Sequence, residues 1–159
     1  LSRGLGDVYK RQERRYAVVK QPVAWIAELE RRTGVRSSAS RLDSRLSVLG
    51  QQLFLPPSVA GWGHNGAWLS AAGLLARARL ARDMSNEVRE SGIWDGLADE
   101  TSANAANRIL DYFGVPDASD QTRGVLETWH AEAIDELNDY WVEREAFRVG
   151  ALLPEVNLA

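Results

Sequence analysis

The sequence predicts an all-α fold: an irregular multi-helix assembly with a Pro/Gly/Trp loop between two long helices. Three observations carry this expectation. Apolar residues recur at three- and four-residue spacing along most of the chain. The interruptions hold Gly or Pro where helices stop, and Ser or Thr where they start. No segment alternates apolar and polar residues convincingly enough to read as a strand, and there is no internal repeat or low-complexity tract.

Taken in order, Pro22 suits a helical first turn, where its missing N–H is not needed. Val23, Ile26, Ala27 and Glu30 follow at helical spacing with Trp25 and Leu29 as a second pair, and Gly34 is a stop. Leu42, Leu46, Leu49 and Leu53 form one stripe, with Arg41, Asp43, Ser44, Arg45 and Ser47 on the wet face. Pro56-Pro57 is expected to end that helix, because the residue before a proline is pushed out of the α region. Ala67 to Glu90 reads as one long helix with Leu69, Ala72, Ala76, Leu80 and Met84 inward and Arg77, Arg79, Arg82 and Asp83 mostly solvated. Gly92 breaks it, and 91–100 is a loop holding Trp94.

Thr101-Ser102 offers a cap for a helix through Ala105, Ala106, Ile109, Leu110 and Phe113, and Gly114-Val115-Pro116 stops it. Ser119 caps the next, with Asp120 favouring the positive N-terminal end. Its expected core face is Val125, Leu126, Trp129, Ala133, Ile134 and Leu137. A last helix spans roughly 139–152, with Trp141, Phe147, Val149, Leu152 and Leu153 apolar, and Pro154 ends it before a short tail.

The 159 residues suffice for one core or part of a larger one. The charge is uneven: residues 1–45 hold eleven Lys/Arg against five Asp/Glu, +6, and the remaining eight and seventeen give −9. A net charge of −3 gives no electrostatic reason to expect a nucleic-acid partner. No apolar run approaches the roughly 18 residues of a membrane span. The absence of cysteine excludes disulfides and thiolate metal sites.

Leu1 to Gln12 carries neither period and no initiator Met. It resembles translated adapter read-through at the end of an environmental gene fragment, so it is set aside from fold reasoning. Residues 13–159 are then expected to be the C-terminal helical portion of a larger domain.

The most distinctive stretch is Pro56-Pro57-Ser58-Val59-Ala60-Gly61-Trp62-Gly63-His64-Asn65-Gly66-Ala67-Trp68. Gly50-Gln51-Gln52-Leu53-Phe54-Leu55 leads into it, and Leu74-Leu75-Ala76-Arg77-Ala78 follows. Together with Val19-Lys20-Gln21-Pro22-Val23 and the ending Leu152-Leu153-Pro154-Glu155-Val156-Asn157-Leu158, this resembles the bacterial family called domain of unknown function 1800. The resemblance covers roughly 16–159 and is strongest over 50–78. Leu153 and Val156 depart from the serine and the aromatic common at those places in the family. The resemblance implies a largely helical fold, a longer protein and export to the periplasm or beyond. It also implies a structural motif of Pro56, Pro57, Gly61, Trp62, Gly66 and Trp68. It supplies no activity, so no catalytic residue carries over, and the partner it implies is the missing N-terminal part of the same chain.

Candidate chemistry is sparse. Gly61-Trp62-Gly63-His64-Asn65-Gly66 matches the glycine pattern of dinucleotide sites, but such a site needs a strand immediately before the turn. Here a helix and two prolines precede it, so the glycines are read as permitting tight turns while the tryptophans pin the loop. Glu127-Thr128-Trp129-His130 has the Glu-x-x-His spacing of di-iron bundles, but a second copy is lacking, and a capping or surface histidine is expected. Glu132, Asp135, Glu136, Asp139 and Glu143 read as a solvated acidic face. No nucleophile elbow, P-loop or zincin motif occurs.

Of the six tryptophans, Trp25, Trp129 and Trp141 are expected in the core. Trp62 and Trp68 are expected to lock the loop to helices, with helices 22–90 and 101–153 packed around it. No cofactor or metal is expected. The leading expectation is a non-catalytic structural or interaction role. The alternative is carbohydrate or metabolite binding, or an unknown enzyme, at a cleft that includes the 58–68 loop, with Trp62, His64, Trp68 and Arg77 as contacts.

Overall fold

A computed structural model describes residues 18–158 apart from His64 and Leu69. The set-aside segment 1–12 lies outside the described residues. Among those described there are seven α-helices and no strand. They are α1 (Pro22–Thr33), α2 (Ala39–Val48), α3 (Ala71–Arg89), α4 (Ser102–Tyr112), α5 (Asp120–Glu136), α6 (Asp139–Ala151) and α7 (Pro154–Asn157). Short 3₁₀ turns cover Asn65–Trp68 and Leu97–Asp99.

Helix starts follow local chemistry. Ser38, Ser70, Thr101, Ser119 and Asn138 each accept a first-turn N–H at the N-cap of α2, α3, α4, α5 and α6. Pro22 opens α1, and Gly34 closes it in the left-handed conformation.

α6 is the central element. It packs on α3 and also touches α4, α5, α7 and the second 3₁₀ turn. Val142, Ala146, Phe147 and Ala151 on α6 meet a core built from Met84 and Val88 of α3, Ile109 and Leu110 of α4, and Leu126 of α5. Gly150 lets the end of α4 come close: a Cβ there would lie 2.1 Å from Phe113 Cε2. α1 joins through Trp25, fully buried, whose indole N–H donates to the Ala151 carbonyl at 3.3 Å. Just before α1, Val19 bridges antiparallel to Leu158. No helix among the described residues is long and apolar enough to cross a membrane.

Several expectations change. α2 stops at Val48, and the turn is completed by Gly50 at φ 79°, well before Pro56-Pro57. Leu53 therefore lies outside the helix. The expected helix from Ala67 is two pieces: the 3₁₀ turn and α3, which Ser70 restarts as N-cap. Ala72 is exposed, whereas Arg77, expected in solvent, is only 2% exposed.

Trp94 is buried in its turn and meets Tyr112 edge-on at 4.8 Å. On α5, Val125, Ile134 and Leu137 face outward, and Thr122, Leu126, His130 and Ala133 are buried instead. The face that meets α4 runs at 122, 126, 130 and 133, a helical stripe rotated from the most apolar one. Trp129 is half-buried against the core. Trp141 is 41% exposed, with the Arg144 guanidinium over its ring at 4.8 Å. That cation–π contact satisfies the ring face at the surface. Pro154 ends α6 and also begins α7, so the tail returns to the core through Val156 and Asn157. The helices pack around α6, and the Pro/Gly/Trp loop lies at the edge with Phe54 94% exposed.

Candidate ligand cleft beside the Pro/Gly/Trp loop

Four of the five sequence strips that carry the family resemblance supply residues to one buried polar junction. Its centre is Arg77 of α3. Its Nη2 donates to the Lys20 carbonyl and its Nη1 to Asn157 Oδ1, both at 2.5 Å. The guanidinium lies over the Trp25 ring, 5.3 Å from its centroid. Asn157 Nδ2 in turn donates to the carbonyls of Ala151 and Leu153. The Lys20 amide donates to the Asn157 carbonyl at 2.9 Å. On the other side of α1, the Gln51 side chain accepts from Val23 N–H at 2.9 Å and donates to Gln21 Oε1 at 3.1 Å. Arg77, Gln51 and Asn157 are all buried, and each is held by such bonds. A buried polar group without partners is costly, which is why these residue types sit together.

A cleft of about 260 Å³ opens against this junction. Its walls are Pro22 of α1, Val48 to Gly50 at the end of α2, Ala67 and Trp68 of the 3₁₀ turn, and Ser70, Ala72, Gly73 and Arg77 at the start of α3. Trp68 is buried, and its indole N–H donates to the Gly63 carbonyl at 2.9 Å. Gly61 adopts φ 87°, the left-handed region that favours glycine, and turns the chain into this segment.

Of the predicted contacts, the structure brings Trp68 and Arg77 together on one cleft. Trp62 is half-buried and stands apart from its walls. His64 lies outside the described residues. Pro56 and Pro57 are exposed in the loop, and Gly66 is exposed in the 3₁₀ turn. The Gly61–Gly66 pattern follows bends and turns after α2, so the strand that a dinucleotide turn requires is absent among the described residues.

Electrostatics in the cleft are one-sided. Arg77 is its only charged wall residue, and no acid lines it. Among the described residues Arg77 has no carboxylate partner, and burial pulls its pKa below the ordinary value.

The sequence reading missed Pro22, Leu49 and Gly50 as cleft walls, and Lys20 and Asn157 as the groups that hold Arg77. The resemblance strips containing Lys20 and Asn157 were the available signal, but nothing in sequence spacing connects positions so far apart.

Elsewhere, Glu127 is exposed while His130, on the same helix, is buried. His130 Nε2 contacts the Leu97 carbonyl at 2.9 Å and Nδ1 contacts Ser102 Oγ at 3.2 Å. A carbonyl only accepts, so Nε2 donates to it, and Nδ1 shares a hydrogen bond with the Ser102 hydroxyl. This histidine satisfies backbone from inside the core, and both ring nitrogens are used. Among the described residues no group of three or more His, Asp or Glu is placed to hold a metal.

The architecture defines an all-α protein whose distinctive motifs converge on one buried junction beside a small cleft. Residues 6–155 match the family described as protein of unknown function (DUF1800), and the chain belongs to that family. Comparison with curated proteins and with solved structures returns no significant match.

Proposed function

We propose that this chain has a non-catalytic structural or interaction role. The observation that carries it is the use of the motif residues: Arg77, Gln51, Asn157 and the Trp68 indole are spent on internal hydrogen bonds. What the motif region offers outward is uncharged and largely apolar, with Gln52, Ser58 and Asn65 as polar exceptions. No Asp, Glu, Lys or Arg occurs between Arg45 and Arg77. Within that stretch Phe54, Leu55, Val59, Leu74 and Leu75 are exposed. Such a surface loses little on desolvation and suits contact with an apolar protein face.

The test is the Phe54→Ser, Val59→Ser double variant of the 159-residue chain. Both side chains are already in water, so thermal stability should stay within about 0.5 kcal/mol. Self-association, followed by light scattering against concentration, should fall. Unaltered association, or a large loss of stability, would show that the loop is not a contact surface. Ligand binding is the second reading, and the cleft that joins Trp68 to Arg77 favours it.

A further inference from the structure

We propose that the outward face of α5 docks a basic amphipathic helix of a partner protein, in the groove that α5 forms with the start of α7. The inference goes beyond the loop surface: it concerns another face with other chemistry, and its test uses other variants.

Three observations converge on it. The first is charge. Between Arg123 and Arg144 the chain carries six acids and no Lys or Arg. Glu127, Glu132, Asp135 and Glu136 are exposed on α5, and none forms an ion pair among the described residues. Asp135 and Glu136 stand in the last turn of α5, where no base accompanies them. That end of a helix is already negative, so acids there are unfavourable until a cation approaches. Glu155, at the other end of the groove, adds to the same potential. Its Oε1 accepts from the Thr122 hydroxyl at 2.7 Å, whereas its buried Oε2 accepts no hydrogen bond among the described residues.

The second is shape and lining. Two open hollows of about 500 and 390 Å³ lie along α5 and share Gln121 and Val125. One reaches Trp129 and Glu132, and the other reaches Leu153 and Pro154. Val125 is 54% exposed and Trp129 is half-buried. Positions 121, 125, 128, 129 and 132 recur at three- and four-residue spacing, so the groove follows one face of α5. From 121 to 132 that face is about 16 Å long, or three turns. An apolar floor edged by charge suits a helix laid along it.

The third is Gly124, inside α5 and on the groove. Glycine weakens a helix interior relative to alanine. A Cβ at 124 would meet nothing within 4 Å, and the backbone there is not left-handed, so nothing among the described residues calls for glycine. Its missing side chain leaves room for a second helix to come close.

Charge also selects the occupant. The same face of a second copy would set acid against acid, and nucleic-acid phosphates or an anionic lipid surface would be repelled alike.

The experiment uses the 159-residue chain and a fluorescein-labelled peptide of about 18 residues, with leucines at helical spacing on one face and lysines on the other. Two labelled controls accompany it: the same residues in scrambled order, and glutamates in place of the lysines. Binding is read by anisotropy. The Leu/Lys peptide is expected to bind saturably, at least about tenfold tighter than either control, and more weakly as salt rises. Glu132→Lys should weaken it at least about tenfold. Asp43→Lys, the same charge change at an exposed position on α2 outside the groove walls, should weaken it less than about threefold. Gly124→Leu should weaken binding as Glu132→Lys does, while the melting temperature of the free chain holds or rises. Equal losses from Glu132→Lys and Asp43→Lys would overturn the location, as would binding that survives Gly124→Leu. A scrambled peptide that binds as tightly would overturn the helical partner. No saturable binding would overturn the proposal altogether. Self-association that Glu132→Lys or Gly124→Leu reduces in light scattering would replace the partner with a second copy. None of these outcomes bears on the loop, whose test rests on Phe54 and Val59.

Discussion

Gly150→Ala tests the helix crossing on which the fold depends. A Cβ at position 150 would stand 2.1 Å from Phe113 Cε2, 2.6 Å from Cδ2 and 3.0 Å from Ile109 Cγ2. Phe113 and Ile109 are fully buried, and Phe113 also leans on Phe147 at 5.6 Å, so the ring cannot retreat into solvent. Overpacking of this kind costs about 1–3 kcal/mol. Alanine in a helix gains up to about 1 kcal/mol over glycine. The net expectation is destabilisation of about 1–2 kcal/mol, which for a domain of this size lowers Tm by roughly 2–8 °C. Calorimetry or helical circular dichroism measures it. A double-mutant cycle with Phe113→Leu localises it, because shortening the ring should relieve part of the cost of Gly150→Ala, with a coupling of about 0.5 kcal/mol or more. A variant that melts at or above the parent temperature, or two substitutions that simply add, would refute this account of how α4 and α6 pack.

Two further expectations concern titratable groups. The Tyr112 hydroxyl is buried without an acceptor among the described residues, and burial pushes its pKa up to about 12 against the opposing pull of Arg32. Tyr112→Phe should therefore leave stability unchanged or raise it by up to about 1 kcal/mol, and a larger loss in a denaturant titration would reveal a partner for that hydroxyl. Burial acts to raise the pKa of Glu28, but hydrogen bonds and charge from Lys20 and Arg32 outweigh it and hold the carboxyl below its ordinary value of 4.5. The stability it contributes is present above that value and is lost as the pH falls through the folded-state pKa. Glu28→Gln should lose less stability on acidification below about pH 4.5 than the parent chain. Parallel acid titrations of the two would count against the ion pairs.

The fold class was legible because its signals are local. Helical spacing of Ile26 and Leu29, of Leu42 and Leu46, and of Leu80 and Met84 depends only on a period of 3.6 residues. Thr101 and Ser119 announced their helix starts because an N-cap bond joins residues three apart. The expectations that shifted depend on which neighbour a face meets. Val125 and Ile134 look like core residues, yet α4 covers the stripe that contains Thr122 and His130. Trp141 looks like an anchor, yet it lies outward under Arg144. The candidate site was half visible. Trp68 and Arg77 stood out from the motif, but the carbonyl of Lys20 and the amide of Asn157 that hold Arg77 are 57 and 80 residues from it along the chain.

By itself the sequence determined that the chain is helical, where most helices begin and end, and which strips mark its family. Those properties arise from backbone hydrogen bonding, capping and spacing within a few residues. Tertiary structure alone decided that the strips are one object. Packing buries Gln51, Arg77 and Asn157 and brings the Lys20 carbonyl to them, and away from solvent each polar group must bond to another. The same packing removes the Arg77 charge from solvent and leaves it beside a cleft with no acid. Burial, which no local pattern encodes, turned an arginine expected on a solvated helix face into the centre of the junction.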